Sequence, residues 1–146
     1  EFVDDHNTTS PSSPITYRPH TKTHKCPSLA KLQIERFGAT GVCVQILDEA
    51  QAMLEGGVMD VFLSNQIVGP KKIARLCELA QKGNISIVVD NIENLEQITA
   101  AAEASGVDIG VLVEVNAGQN RCGVEVTEDS GVALCVQLAQ RIESSP

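Results

Sequence analysis

Gly41-Val42-Cys43-Val44-Gln45-Ile46-Leu47-Asp48-Glu49-Ala50-Gln51-Ala52-Met53-Leu54-Glu55-Gly56-Gly57-Val58-Met59-Asp60-Val61-Phe62-Leu63-Ser64-Asn65 is the stretch on which the fold turns. It opens with a short, β-branched apolar run at 41–45, passes into the helix-period segment Asp48 to Glu55 stopped by Gly56-Gly57, and closes on a second apolar run at 60–65. Strands that are apolar at successive positions are covered on both faces, as they are in a parallel sheet flanked by helices. The stretch therefore predicts a βαβ unit.

The same alternation extends in both directions. Upstream, a basic strand around 17–22 leads into a helix from Ser28 to Phe37, stopped by Gly38. Downstream, a helix begins after Gly69-Pro70, where proline suits the first turn, and runs to Lys82-Gly83. A strand at Ile85 to Asp90 and a helix from Glu93 to Ser105 follow, closed by Gly106. A fifth strand at Ile109 to Asn116, a glycine-rich loop and a last helix from about Asp129 to Glu143 complete the series. Five βα units are predicted. The fold class is thus α/β, as a partial (β/α)8 TIM barrel: a complete barrel takes about 250 residues, and an open arc of five units leaves a strand unpaired at each side. The chain reads as a piece of such a barrel, 17–146, behind a Ser-, Thr- and Pro-rich leader at 1–16 predicted to be disordered. A dinucleotide-binding sheet is the rival architecture, but no G-x-G-x-x-G follows a strand and no phosphate-loop motif occurs.

Composition narrows the function. The 146 residues carry a formal net charge of −8, and their positive charge is local, which speaks against nucleic acid as a partner. No apolar run reaches the roughly 18 residues of a membrane span, and the N-terminus shows neither the basic nor the apolar region of a signal peptide. A soluble, cytoplasmic protein is expected. The five cysteines, Cys26, Cys43, Cys77, Cys122 and Cys135, form no C-x-x-C pair and read as buried free thiols of a reducing compartment. Cys122, beside Arg121, is the candidate for a reactive one.

The chemistry concentrates in Arg18-Pro19-His20-Thr21-Lys22-Thr23-His24-Lys25. On a strand, Arg18, His20, Lys22 and His24 would project to one face. Cations facing a cleft ask for a phosphate, a carboxylate or a covalent cofactor, and an amine among them is activated toward carbonyls, which makes Lys22 a candidate Schiff-base residue. A solvated basic edge strand fits the same letters. A His20/His24 metal pair on a helix does not suit Pro19 and the threonines, and no third ligand is near. Each strand also ends in a polar residue, Lys22, Gln45, Asn65, Asp90 and Asn116, recurring at roughly the spacing of stacked units. Ligands of parallel α/β folds bind at that carboxyl edge. Helix capping by such residues, as at Asp90 or Asn91, is the alternative.

Four separated segments then carry a resemblance: 18–25, Cys43-Val44-Gln45, Ser64 to Ile73, and Val113-Glu114-Val115-Asn116-Ala117-Gly118-Gln119-Asn120-Arg121-Cys122-Gly123-Val124. In this order they resemble the D-threonine aldolase and 3-hydroxy-D-aspartate aldolase group, whose alanine racemase-like N-terminal barrel is that of the fold type III pyridoxal-phosphate enzymes. The resemblance implies a pyridoxal 5'-phosphate cofactor bound as a Schiff base on Lys22, and places Arg121 near the phenolic oxygen of its ring. It implies His20 beside the ring, with Gln45, Asn65 and Asp90 as further pocket residues. The implied activity is cleavage of a D-β-hydroxy amino acid to glycine and an aldehyde. A D-serine dehydratase-like enzyme, and an inactive truncated member of the family, remain as alternatives. The resemblance also implies a small-molecule D-amino acid substrate and raises a homodimer. The family's divalent metal, manganese or magnesium, takes its ligands outside the matched segments, as does the cofactor phosphate, so no metal ligand is assigned here.

Overall fold

The computed structural model describes residues 15–145. The expected leader lies outside them except for residues 15 and 16, which are irregular and exposed.

Helices and strands alternate along the chain: α1 Pro27–Phe37, β1 Val42–Val44, α2 Leu47–Glu55, β2 Asp60–Leu63, α3 Pro70–Ala80, β3 Asn84–Val89, α4 Ile92–Ser105, β4 Gly110–Val113, β5 Val115–Asn116, β6 Val124–Glu125 and α5 Asp129–Glu143. β1 to β4 form one sheet in sequence order, every pair parallel. Such an order requires a crossover between successive strands, and α2, α3 and α4 supply the three.

The register divides the sheet into two faces. Val44, Leu63, Ile87 and Val111 lie in one lateral row, and Cys43, Phe62, Ser86 and Gly110 in the next. Side chains alternate along a strand, so the first row and its i±2 neighbours point one way and the second row the other. Val42, Val44, Val61, Leu63, Ile85, Ile87 and Val89 belong to the core with Met53, Leu76, Leu95, Ile98 and Leu138 from the helices. The opposite face carries Cys43, Phe62, Ser86, Val88 and Leu112, and corresponds to the inside of a barrel. Leu112 is exposed, as suits an edge strand.

Local signals account for the boundaries. Pro27 and Pro70 open α1 and α3, where a missing N–H costs nothing. Gly38 and Gly106 close α1 and α4 in the left-handed conformation, at φ 72° and 62°. Asn91 caps α4 by accepting the N–H of Asn94 at 3.0 Å, a contact worth about 1 kcal/mol. Asp90 is thereby left for other work.

Two expectations are corrected. The basic strand at 17–22 is reduced to a single parallel bridge between His20 and Cys43, and residues 21–24 form a turn. The row of four cations does not exist. Arg18 instead turns to Asp60 at the start of β2, with Nε 2.6 Å from Oδ1 and a second bond from Nη2 to Oδ2 at 3.1 Å, and Lys22 stands exposed on the turn. The reason is Thr21: its hydroxyl and backbone N–H both donate to the carbonyl of Cys43, at 3.1 and 2.8 Å, and its side chain is fully buried, which ends the ladder there. The fifth strand is also interrupted. Glu114 separates β4 from β5, and β5 pairs in parallel with β6, a strand not expected from sequence.

Candidate active site at the carboxyl rim

The carboxyl ends of the strands carry a connected set of polar side chains, beginning at the bridge. His20 is half-buried, and in a parallel pairing it shares a face with Cys43 and hence with Phe62. Its Nδ1 accepts the backbone N–H of Lys22 at 3.3 Å. The Nδ1 of His24 accepts the N–H of Cys26 at 3.0 Å, while its Nε2 is buried without a partner. Both imidazoles therefore turn their Nδ1 atoms to the turn's own backbone. Among the described residues no three His, Cys, Asp or Glu side chains come together as metal ligands. A divalent metal does not fit this part of the protein, and no chemistry is assigned to one.

Gln45, after β1, and Asn65, after β2, are neighbours: Asn65 Nδ2 lies 3.5 Å from the Gln45 carbonyl, and Ser64 Oγ donates to Val44 O at 3.2 Å. Together with Gln66, Lys71 and Lys72 they line a cleft of about 400 Å³ between these strand ends and the first turn of α3. An apolar groove of about 440 Å³ lies at the other end of the sheet between α4 and α5, and no rim residue reaches it.

Farther along the rim, Gln66 ties two acids together. Its Nε2 donates to Asp90 Oδ2 at 3.0 Å and also to Glu114 Oε2. Asp90 Oδ2 accepts in addition the N–H of Gly123 at 3.0 Å, and Glu114 Oε1 accepts from Cys122 Sγ at 3.2 Å. The loop 117–123, which carries Arg121, is thus fastened at its far end by both carboxylates. Asn116 fastens its near end: Oδ1 accepts the N–H groups of Gly118 and Asn120 at 3.0 and 3.1 Å, and Nδ2 donates to Asn120 Oδ1 and Glu125 Oε2 at 2.9 and 2.8 Å. A carboxamide bonded on both sides this fully holds its loop in one conformation. Arg121 itself is exposed and in no ion pair among the described residues.

Of the residues singled out in the sequence, Gln45 and Asn65 are adjacent, His20 touches the backbone of Lys22, and Asp90 joins the Arg121 loop rather than capping α4. No hydrogen bond joins Lys22 to Gln45, Asn65 or Arg121. Cys43 and Cys77 are buried as expected, whereas Cys26, Cys122 and Cys135 are half-buried, and all five are free thiols. Sequence reading missed Glu49, Gln66 and Glu114. For Glu114 a signal existed, an acid inside the apolar run Val113-Glu114-Val115. Glu49 looks like any acid in a helix's first turn, and Gln66 like any loop amide.

Glu49 is 7% exposed. Oε2 accepts the N–H of Gln45 at 2.8 Å, and Oε1 lies 3.0 Å from Lys25 Nζ. Burial pushes its carboxyl up, but the Gln45 amide, the Lys25 ammonium and the charge of His20 outweigh it and hold the group below its ordinary value. A carboxyl lowered on folding adds stability above its unfolded titration range and loses it as pH falls through the lower folded value. Urea unfolding followed on acidification is expected to show wild type losing its stability advantage over Glu49→Gln across that acidic limb. A constant difference between the two from neutral pH into acid would contradict this.

The comparisons with known proteins agree with the architecture. The model of the alanine racemase N-terminal domain matches residues 9–144, and the chain belongs to that family. It is 44% identical over 132 residues to the D-threonine aldolase of Arthrobacter sp, covering 90% of this chain and 33% of that protein. It is 36% identical over 133 residues to the 3-hydroxy-D-aspartate aldolase of Paracoccus denitrificans, with the same coverage. The crystal structure of D-threonine aldolase from Filomicrobium marinum superimposes with a TM-score of 0.82 at 38% identity, covering 90% of this chain and 34% of that one. The chain therefore spans about a third of the length of the relatives it matches. Among the described residues no helix is long and apolar enough to cross a membrane.

Proposed function

We propose that this chain is the lysine-bearing part of a pyridoxal-phosphate-dependent lyase that cleaves D-β-hydroxy amino acids, of the D-threonine or 3-hydroxy-D-aspartate kind, to glycine and an aldehyde. The observation that carries the reading is the exposed Lys22, held on a turn locked to β1 by the buried Thr21, in a chain 44% identical to a D-threonine aldolase.

The residues present fit the cofactor. An amine that must reach an aldehyde has to be accessible, and Lys22 is exposed without an ion pair among the described residues. The sheet face shared by His20, Cys43 and Phe62 is not the one that packs on the helices, leaving an apolar wall for a flat ring. In this reading Lys22 holds the cofactor, His20 lies along the ring, Arg121 binds its phenolic oxygen, and Gln45 and Asn65 supply polar contacts at the rim. When bound, the group supplies an electron sink for the breaking Cα–Cβ bond. The chain's own task is orientation and charge placement. Arg121 supports it because a guanidinium delivers fixed positive charge, and its loop is already fastened by Asn116, Asp90 and Glu114.

The dehydratase reading draws on a weaker likeness, 27% identity over 123 residues to the D-threo-3-hydroxyaspartate dehydratase of Delftia sp.. Products separate the two, because D-threonine gives glycine and an aldehyde in one case and a keto acid with ammonia in the other. The direct test of the cofactor role is incubation with pyridoxal phosphate, reduction with borohydride and location of the label by peptide mass. Label concentrated on Lys22 is expected. Label spread evenly over Lys22, Lys25, Lys71 and Lys72 would refute the assignment.

A further inference from the structure

The turn that carries Lys22 has little of its own to fix it. Residues 21–24 belong to no helix or sheet ladder, and Lys22 and Thr23 are exposed. Locally, the Nδ1 atoms of His20 and His24 accept the N–H groups of Lys22 and Cys26; the other restraints reach beyond these contacts. Thr21 is pinned to Cys43, and the Lys25 N–H closes the turn on the Thr21 carbonyl at 2.8 Å. Closing it there forces Lys25 to φ +48°, a left-handed conformation that costs a residue with a side chain about 1 kcal/mol or more. Such a conformation persists only where the surroundings hold it.

What holds Lys25 is Glu49. One carboxylate oxygen meets Lys25 Nζ and the other meets the N–H of Gln45, so a single buried group ties the strand end after β1 to the residue three beyond Lys22. Serving the amino terminus of α2 does not explain its burial. Asp48 already places a carboxylate in that first turn while staying exposed, and a charge kept in water avoids the desolvation that Glu49 undergoes.

We propose that Glu49 is a positioning residue that, through Lys25, fixes the turn presenting Lys22 beside His20. The proposal rests on the reading of Lys22 as the cofactor-bearing amine and adds the group that aims it. Glu49 touches neither Lys22 nor any reacting atom. Its effect passes through the backbone of residues 21–25.

The test compares wild type with Glu49→Ala, Glu49→Gln and Lys25→Met in the full chain. Each is treated with pyridoxal phosphate and borohydride: the lysine amine adds to the aldehyde, water leaves, and hydride reduces the C=N bond to a stable secondary amine. Lys71 and Lys72, exposed in the first turn of α3, serve as the internal standard. The ratio of Lys22 label to theirs is expected to fall about fivefold in Glu49→Ala and Lys25→Met, the scale of a lost orientation and not a lost group. Glu49→Gln, which keeps an acceptor for the Gln45 N–H, should fall between them and wild type. A purely structural role would leave the ratio unchanged in variants whose circular dichroism and cooperative unfolding match wild type, and that result would overturn the proposal while leaving Lys22 as the labelled amine. If wild type itself shows no preference for Lys22, the cofactor reading fails and this inference with it. Should Glu49→Ala not fold, Lys25→Met decides, because that side chain is 60% exposed and its removal leaves the core intact.

Discussion

Lys22→Ala is expected to abolish the preferred borohydride-reducible label while leaving the urea midpoint within experimental error of wild type. The side chain is exposed and takes part in no hydrogen bond or ion pair among the described residues; only its backbone N–H is engaged, with His20 Nδ1, and alanine keeps that. Surface substitutions of this kind move stability by less than about 0.5 kcal/mol. The effect on chemistry is of another order. On the proposed reading the substitution removes the amine that carries the cofactor, and whatever cleavage of D-threonine the protein supports should drop by about a thousandfold or more, as when a nucleophile is deleted from other enzymes. Lys22→Arg separates charge from nucleophilicity, since guanidinium retains the positive charge and forms no imine under these conditions. It should behave like alanine in labelling. If a folded Lys22→Ala cleaves D-threonine at the wild-type rate, or shows an equally strong preferred label at another lysine, the assignment of the cofactor to position 22 is wrong.

The distribution of legible and illegible features follows from what local sequence can encode. Helices and their stops were readable because Pro27, Pro70, Gly38 and Gly106 act on their own backbone, and the parallel strands because burial on both faces leaves continuous apolar runs such as Val42 to Val44. The first strand was not. The alternation from Arg18 to His24 has the right period, but Thr21 buries itself against Cys43, twenty-two positions away, and the ladder ends after one bridge. Arg18 likewise answers to Asp60, forty-two positions on. The rim shows the same division. That Gln45, Asn65 and Asp90 stand at strand ends could be counted along the chain. That Gln66 would bridge Asp90 and Glu114, or that Glu49 would reach Lys25, depends on how adjacent βα units stack, and no single unit contains it. Lys22, Arg121 and the other candidate positions come from motif resemblance, whereas the side chains that fasten their loops emerge only once the strands lie side by side.

Gly123→Ala should be the costliest single-methyl change in the Arg121 loop, and comparison with Gly118→Ala shows why. Both glycines have positive φ, +93° at Gly123 and +105° at Gly118, so alanine at either is conformationally disfavoured by about 1 to 2 kcal/mol. Around Gly118 an added Cβ would meet nothing within 4 Å, whereas at Gly123 it would fall 2.7 Å from the backbone N of Asn116 and from the carbonyl carbon of Val115. Both atoms belong to one peptide unit of β5, and strand backbone cannot swing away as a side-chain tip can. Gly123 is also held from a second direction, its N–H bonded to Asp90, and the next residue, Val124, donates to the Glu114 carbonyl at 2.8 Å. Relief must therefore come from parting β5 from β6 or from lifting the loop, which breaks the Asp90 bond and frees Arg121. The expected loss is about 2 to 4 kcal/mol for Gly123→Ala against about 1 for Gly118→Ala, read from urea unfolding. A second readout follows the loop itself: trypsin should cut after Arg121 faster in Gly123→Ala than in Gly118→Ala under native conditions, because cleavage needs an extended, locally opened segment. Equal stabilities and equal cleavage rates for the two variants would mean that the close approach of Gly123 to β5 does not restrain the arginine, and that the fastening of this loop by Asn116, Asp90 and Glu114 is weaker than its hydrogen bonds suggest.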